Sequence, residues 1–193
     1  MVPTAAPVQC PRGPVVVSGQ DHVAALAGCP RLDGDLRIRT AAALRLDDLA
    51  SLETVTGSLV IGPTLALDTL DGLRGLREVG GALRVVANGD VTGAFFPALE
   101  RAGAVEIDGN VALLQVMLPR LREVTGDVVV HGNAALELVD VTVLARIGGA
   151  LIIEDNVVLT DVAIGTARAG SVRVLRNAAL DSAAQQRLQA TAP

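Results

Sequence analysis

Apolar and polar residues alternate along this chain in short bursts, and each burst opens on a glycine. The unit is Gly, any residue, an aliphatic, any residue, an aliphatic. It reads Gly34-Asp35-Leu36-Arg37-Ile38, then Gly57-Ser58-Leu59-Val60-Ile61 and Gly81-Ala82-Leu83-Arg84-Val85. Next come Gly103-Ala104-Val105-Glu106-Ile107 and Gly126-Asp127-Val128-Val129-Val130. Gly149-Ala150-Leu151-Ile152-Ile153 and Gly170-Ser171-Val172-Arg173-Val174 complete the series, and Gly13-Pro14-Val15-Val16-Val17 is a weaker first copy. From Gly34 onward the glycines are 23, 24, 22, 23, 23 and 21 residues apart. A steady period of this length marks a repeat architecture. Five alternating residues make a half-buried strand, and the leading Gly suits either a positive φ or a tight corner.

Two more features keep the same period. Leu52 and Val55 precede Gly57, Leu76 and Val79 precede Gly81, Leu121 and Val124 precede Gly126, and Leu144 and Ile147 precede Gly149. They give each coil a second inward-facing side. Asn88, Asn110, Asn133, Asn156 and Asn177 each lie three residues after the last strand aliphatic, and Leu113, Leu136, Leu159 and Leu180 each lie three residues after an Asn. Asn stacked at one corner can hydrogen-bond the backbone of neighbouring coils and tolerate a left-handed turn. The apolar burial of one coil falls short of the entropy of ordering roughly twenty residues. Only a stack folds. The expected fold is all-β: a parallel β-solenoid of about eight coils, 21–24 residues each, with short helical caps.

Composition narrows the reading. The 193 residues fit one domain, half of them hydrophobic, with no Trp, no Tyr and two Phe. A core of uniform narrow width accepts such an aliphatic filling. All 16 basic residues are Arg; with abundant Ala, Val and Gly this fits a GC-rich bacterial gene. The net charge is −5 and the isoelectric point is near 5.0, which argues against nucleic-acid binding. No apolar run is long enough to span a bilayer, so no membrane insertion is expected. Met1 to Gln9 carries neither the charged start nor the apolar stretch of a secretory signal. An extracellular, cell-surface or periplasmic placement therefore implies a signal or anchor outside this sequence. Residues 1–9 read as a disordered or extended segment, 10–181 as the solenoid, and 182–193 as a helical cap and tail. Asp21 to Gly28 reads as a short helix closing the first coil, and Ser182 to Gln189 as a polar helix with Ser182 as N-cap. The alternative for both segments is end-to-end assembly. Cys10 and Cys29 do not match a zinc site. A disulfide closing the first coil is the preferred reading, and a pair of buried free thiols is the alternative.

In-register stacking turns exposed strand positions into columns. One reads Arg37, Val60, Arg84, Glu106, Val129, Ile152, Arg173; the next reads Arg39, Gly62, Val86, Asp108, His131, Glu154, Leu175. Outward aliphatics at Val60, Val86, Val129, Ile152 and Leu175 make a patch of the kind that marks a partner surface, although isolated exposed aliphatics are ordinary. His131 between Asp108 and Glu154 should favour its charged form. A flat sheet closes a metal shell poorly, so the column is read as a solvated charge ladder, with no metal and no cofactor. The chain shows no phosphate loop, nucleophile elbow or His-Glu metal motif. These residues resemble the receptor L-domain family, the leucine-rich β-helical ligand-binding domains of insulin and EGF receptors, and their fungal cell-wall relatives. The resemblance rests on "CPRLDGDLRIR", the repeated L-x-x-V-x-G-x-L-x-I, and the corners at Gly109-Asn110 and Gly132-Asn133. It implies a right-handed, extracellular solenoid that binds a protein partner without catalysis. The alternative is a structural solenoid that self-associates through faces or ends.

Overall fold

The structure is a computed structural model that describes residues 9–192. The segment read as disordered or extended, 1–9, therefore lies outside the described residues except for Gln9. Eight parallel strands stack in chain order: β1 (Val15–Val17), β2 (Leu36–Thr40), β3 (Leu59–Thr64), β4 (Glu78–Val86), β5 (Arg101–Asp108), β6 (Val128–His131), β7 (Ala150–Glu154) and β8 (Ser171–Leu175). They define a parallel β-solenoid of about seven turns. Every repeat glycine from Gly34 onward leads into one of these strands, or lies within it where the strand extends around the corner.

Each coil has three sides. The main side is the strand. After a polar corner comes a second side. It is built from the 3-10 helices Asp47–Leu49 and Asp71–Leu73 in two early coils, and from a four-stranded parallel sheet in the later ones. That sheet stacks Gly93–Phe95, Gln115–Met117, Leu138–Val141 and Asp161–Ile164. The third side carries two-residue bridges such as Thr54–Val55 and Glu123–Val124, and it ends at the glycine corner. Aliphatics from all three sides meet in one core that includes Leu36, Leu59, Leu83, Val105, Leu121 and Leu144. Phe96 is the one buried aromatic.

The glycine corner exists because backbones approach closely there. A Cβ on Gly103 would lie 2.6 Å from the carbonyl oxygens of Gly80 and Gly81. Of the two reasons expected for this glycine, close approach holds at Gly57, Gly81, Gly103 and Gly149, none of which has a positive φ. The other expected reason, a positive φ, holds at this corner for Gly13 (87°) and Gly34 (144°); five more left-handed residues sit at the opposite corner, one position before each Asn: Ala87 (φ 53°), Gly109 (63°), Gly132 (64°), Asp155 (58°) and Arg176 (56°). The left-handed turn expected at Asn itself falls on its predecessor. The predecessor turns the chain, and the Asn is left free to point inward.

Both ends carry the expected helices, with corrected boundaries. Cys10 and Cys29 form a disulfide, with Cα atoms 5.6 Å apart, around α1 (Gln20–Ala24). The helix expected over Asp21 to Gly28 is a short helix over Gln20–Ala24 that continues as hydrogen-bonded turns. At the other end α2 (Ser182–Gln189) keeps its expected bounds and buries Ala184 and Leu188. Its N-cap is Asp181 rather than Ser182: the Asp181 carboxylate accepts the Ala184 N–H at 2.6 Å.

Candidate interaction face

The first exposed column is continuous. Register pairs run Val16, Arg37, Val60, Arg84, Glu106, Val129, Ile152, Arg173 without a break. Arg84 and Glu106 stand opposite each other and form a bidentate pair, with Nε–Oε2 at 2.7 Å and Nη2–Oε1 at 2.8 Å. Val60, Val129 and Ile152 are half-buried on this face, and Val86 is half-buried in the next column. Arg37 is exposed.

The second column departs from the expected reading at both ends. Between Ile38 and Thr40 the register with β3 slips, because β3 holds one extra residue there. The insertion falls at Gly62-Pro63, and Pro63 has no N–H to lend to a ladder. Arg39 therefore has no register partner. Val86, Asp108, His131, Glu154 and Leu175 do align. Yet Glu154 is not exposed as expected. Its side chain is only 8 % accessible, because Arg173 of the next coil closes on it with Nε–Oε1 at 2.7 Å and Nη2–Oε2 at 3.1 Å.

His131 consequently has a different second partner. Its Nδ1 lies 2.7 Å from Asp108 Oδ1, and its Nε2 lies 3.3 Å from Asp155 Oδ2. Asp155 is the left-handed residue that follows β7, and Arg176 grips it by Nε at 2.5 Å and Nη2 at 2.6 Å. The row Asp108, His131, Asp155, Arg176 alternates in sign when His131 is protonated. The hydrogen bond to Asp108, followed by the charges of Asp108 and Asp155, raises the His131 pKa above its ordinary value. The Arg176 hydrogen bond holds Asp155 below the ordinary carboxylate value. Asp155 and Arg176 escaped the sequence reading because strict alternation puts them at a corner. Only the left-handed backbone brings them to this face. Among the described residues no cluster of His, Cys, Asp and Glu is arranged to hold a metal ion.

Behind the face runs a buried polar ladder. From Asn110 onward, each Asn side-chain oxygen accepts both the Nδ2–H and the backbone N–H of the preceding Asn. Asn88 bonds Asn110 at 2.8 and 3.1 Å, Asn110 bonds Asn133 at 2.9 and 3.1 Å, Asn133 bonds Asn156 at 3.0 and 3.1 Å, and Asn156 bonds Asn177 at 3.2 and 3.1 Å. Each Nδ2 also donates to a strand carbonyl of the preceding coil, as Asn133 does to Ile107 at 2.9 Å. Thr64 heads the ladder, its hydroxyl donating to Asn88 Oδ1 at 2.7 Å, and Thr40 sits above it in register. The two threonines were not singled out in the sequence because they are chemically unlike the Asn they align with. The ladder satisfies its own atoms and leaves none for a ligand; among the described residues no buried side-chain polar atom lacks a partner.

No described helix is long and apolar enough to cross a membrane. Comparison with known proteins found no matching family model, no matching curated protein and no matching solved structure. What stands on the chain's own residues is the class: a β-solenoid repeat protein with one disulfide and a broad, regular strand face.

Proposed function

We propose that this protein is a non-enzymatic binding module that works in an oxidising compartment, outside the cell or at its surface, and holds a protein partner on its main strand face. The observation that carries the reading is the first exposed column with its neighbours. Half-buried Val60, Val86, Val129 and Ile152 lie on a flat, in-register surface beside the bidentate Arg84–Glu106 pair. Apolar centres ringed by fixed charges are the usual anatomy of a protein interface. The disulfide agrees with an oxidising environment. The resemblance to receptor L domains, solenoids that bind protein ligands, supports the same reading, as does a titratable set built as a structural charge ladder.

The partner contact should be lost in Val129→Asp/Ile152→Asp, with far-ultraviolet circular dichroism and unfolding midpoint unchanged. Affinity capture from an extracellular fraction of the source cells, run with wild type and variant side by side, reads the first. A partner retained equally by both would refute the face. Self-association is the second reading. It is favoured by β1, a strand of three residues that pairs with β2 alone among the described residues. Light scattering over a range of concentrations separates the two, since a module stays monomeric and an assembling solenoid gains mass.

A further inference from the structure

The third side of the coil carries two adjacent columns of charge. Backbone hydrogen bonds link Glu53, Arg77, Glu100, Arg122 and Ala145 in one column at 2.8 to 3.0 Å per step. Register pairs link Glu78, Arg101, Glu123, Arg146 and Arg168 in the other. Sign alternates from coil to coil, and cross-coil ion pairs result: Arg77 lies 3.7 Å from Glu53 and 3.8 Å from Glu100, and Arg146 lies 3.8 Å from Glu123. Opposite charges facing one another across a sheet stabilise it, and like charges destabilise it.

The alternation fails at one place. Arg146 faces Arg168, and at the same level the first column changes from charge to Ala145. Arg122 ends its column, since the uncharged Ala145 stacks on it in the next coil, and Arg120 lies two residues before it. Among the described residues, Glu123 is the one carboxylate within 4.0 Å of these four guanidinium groups, at 3.8 Å from Arg146. Two open depressions flank the columns. One, of about 390 Å³, is lined by Arg120, Arg122 and Ala145; the other, of about 460 Å³, is lined by Arg146, Arg168 and the bare backbone of Gly148 and Gly170. On a chain of net charge −5 this is a local excess of positive charge that Glu123 alone offsets among the described residues.

We infer that this end of the third side binds an acidic polysaccharide, whose carboxylate or sulfate groups are taken by Arg120, Arg122, Arg146 and Arg168. Guanidinium forks match planar or tetrahedral oxyanions in bidentate fashion. The four are spread over three successive coils, which lie about 4.8 Å apart, rather than converging on one point, which suits a polymer of spaced charges over a single small anion. Ala145, Gly148 and Gly170 let a sugar chain lie close to the backbone. A nucleic acid fits less well: single strands need aromatic platforms, and of the two phenylalanines Phe96 is buried and Phe95 lies in the four-stranded sheet of the second side.

Calorimetric titration of the full chain tests this, with heparin as the sulfated probe, polygalacturonate as the carboxylate probe, and dextran and a single-stranded oligonucleotide as comparisons. Arg146→Ser/Arg168→Ser should weaken binding of an acidic polysaccharide at least tenfold. Arg45→Ser/Arg74→Ser removes the same charge elsewhere and should stay within twofold of wild type. Equal losses in both variants, no binding of either acidic probe at low salt, or tighter binding of the oligonucleotide would each overturn the assignment. Arg168→Ser should also leave the melting temperature equal or higher, because it relieves a like-charge contact. A clear fall would show that Arg168 has an internal partner and would refute the argument.

Discussion

Residues 46–79 and 113–147 fill the same sides of the coil with different local structure. In the early coils the inward residues recur every third position, as Leu67, Leu70, Leu73, Leu76 and Val79, and the chain winds through the 3-10 turn Asp71–Leu73. In the later coils one interval shortens to two. Leu113, Val116, Leu118, Leu121 and Val124 all point inward, and Gln115–Met117 is a strand. A spacing of three matches the 3-10 turn and a spacing of two matches the pleat of a strand. The match is local: Leu44 and Leu46, also two apart and buried, form no strand and lead into the 3-10 turn Asp47–Leu49. The corners differ in parallel. The early coils turn on Thr40, whose hydroxyl bonds only Ala42 of its own coil, and on Thr64, whose hydroxyl makes one bond to the next coil, whereas the later ones turn on five Asn that both accept and donate between coils. The lesson is that one solenoid tolerates two kinds of coil provided that the main strand keeps its register.

The sharpest way to test that contrast is to remove one Asn. Asn133→Ala leaves the Asn110 backbone N–H without an acceptor, leaves the Asn110 Nδ2 with Val85 O alone, and takes the side-chain donor from the Ile107 carbonyl. A buried orphan costs about 1–3 kcal/mol and each of the two other lost bonds about 1 kcal/mol, so denaturant unfolding should show a loss of about 3–5 kcal/mol. The matching change in the early half, Thr64→Val, takes only the donor from Asn88 Oδ1 and should cost about 1–2 kcal/mol by the same measurement. Equal losses would erase the distinction between the two corners. Ala87 stands where the halves meet and holds φ at 53° without being glycine. Ala87→Gly should raise stability by about 0.5–1 kcal/mol, the relief of a left-handed alanine less the added freedom of glycine when unfolded. No gain would mean that neighbouring contacts already offset the strain.

The smallest effect is a pH dependence confined to the later half. His131 has a raised pKa in the folded protein, so its contribution to stability is fully present below the ordinary histidine value and is lost as pH rises through the folded one. Asp155 has a lowered pKa, and its contribution is present above the ordinary carboxylate value and lost as pH falls. Stability should therefore be greatest in mildly acidic solution, between the carboxylate and histidine ranges. His131→Asn should flatten the alkaline side of the profile and leave the acidic side in place. Thermal melts from pH 4 to pH 9 would show both.

The main strands, the Asn ladder, the bounds of α2 and the cysteine pair were legible in the sequence because each repeats a local rule coil after coil. The first exposed column followed directly from alternation. What alternation hid were the places where the backbone leaves it. The extra residue at Gly62-Pro63 removed Arg39 from its column, and the left-handed Asp155 replaced Glu154 beside His131. The 3-10 turns were also written in the spacing of Leu67, Leu70, Leu73 and Leu76, a signal passed over because the glycine period dominates. The arginine excess at Arg146 and Arg168 became visible only after register placed the two residues side by side.

The central claim is that the partner sits on the main strand face. It is tested most directly by site-specific photo-crosslinking, with a photoreactive residue at position 129 in one variant and at position 163, on the four-stranded sheet, in another. The account predicts a partner adduct from position 129 and none from position 163. An adduct from 163 with none from 129 would contradict it and move the interface to the second side of the solenoid.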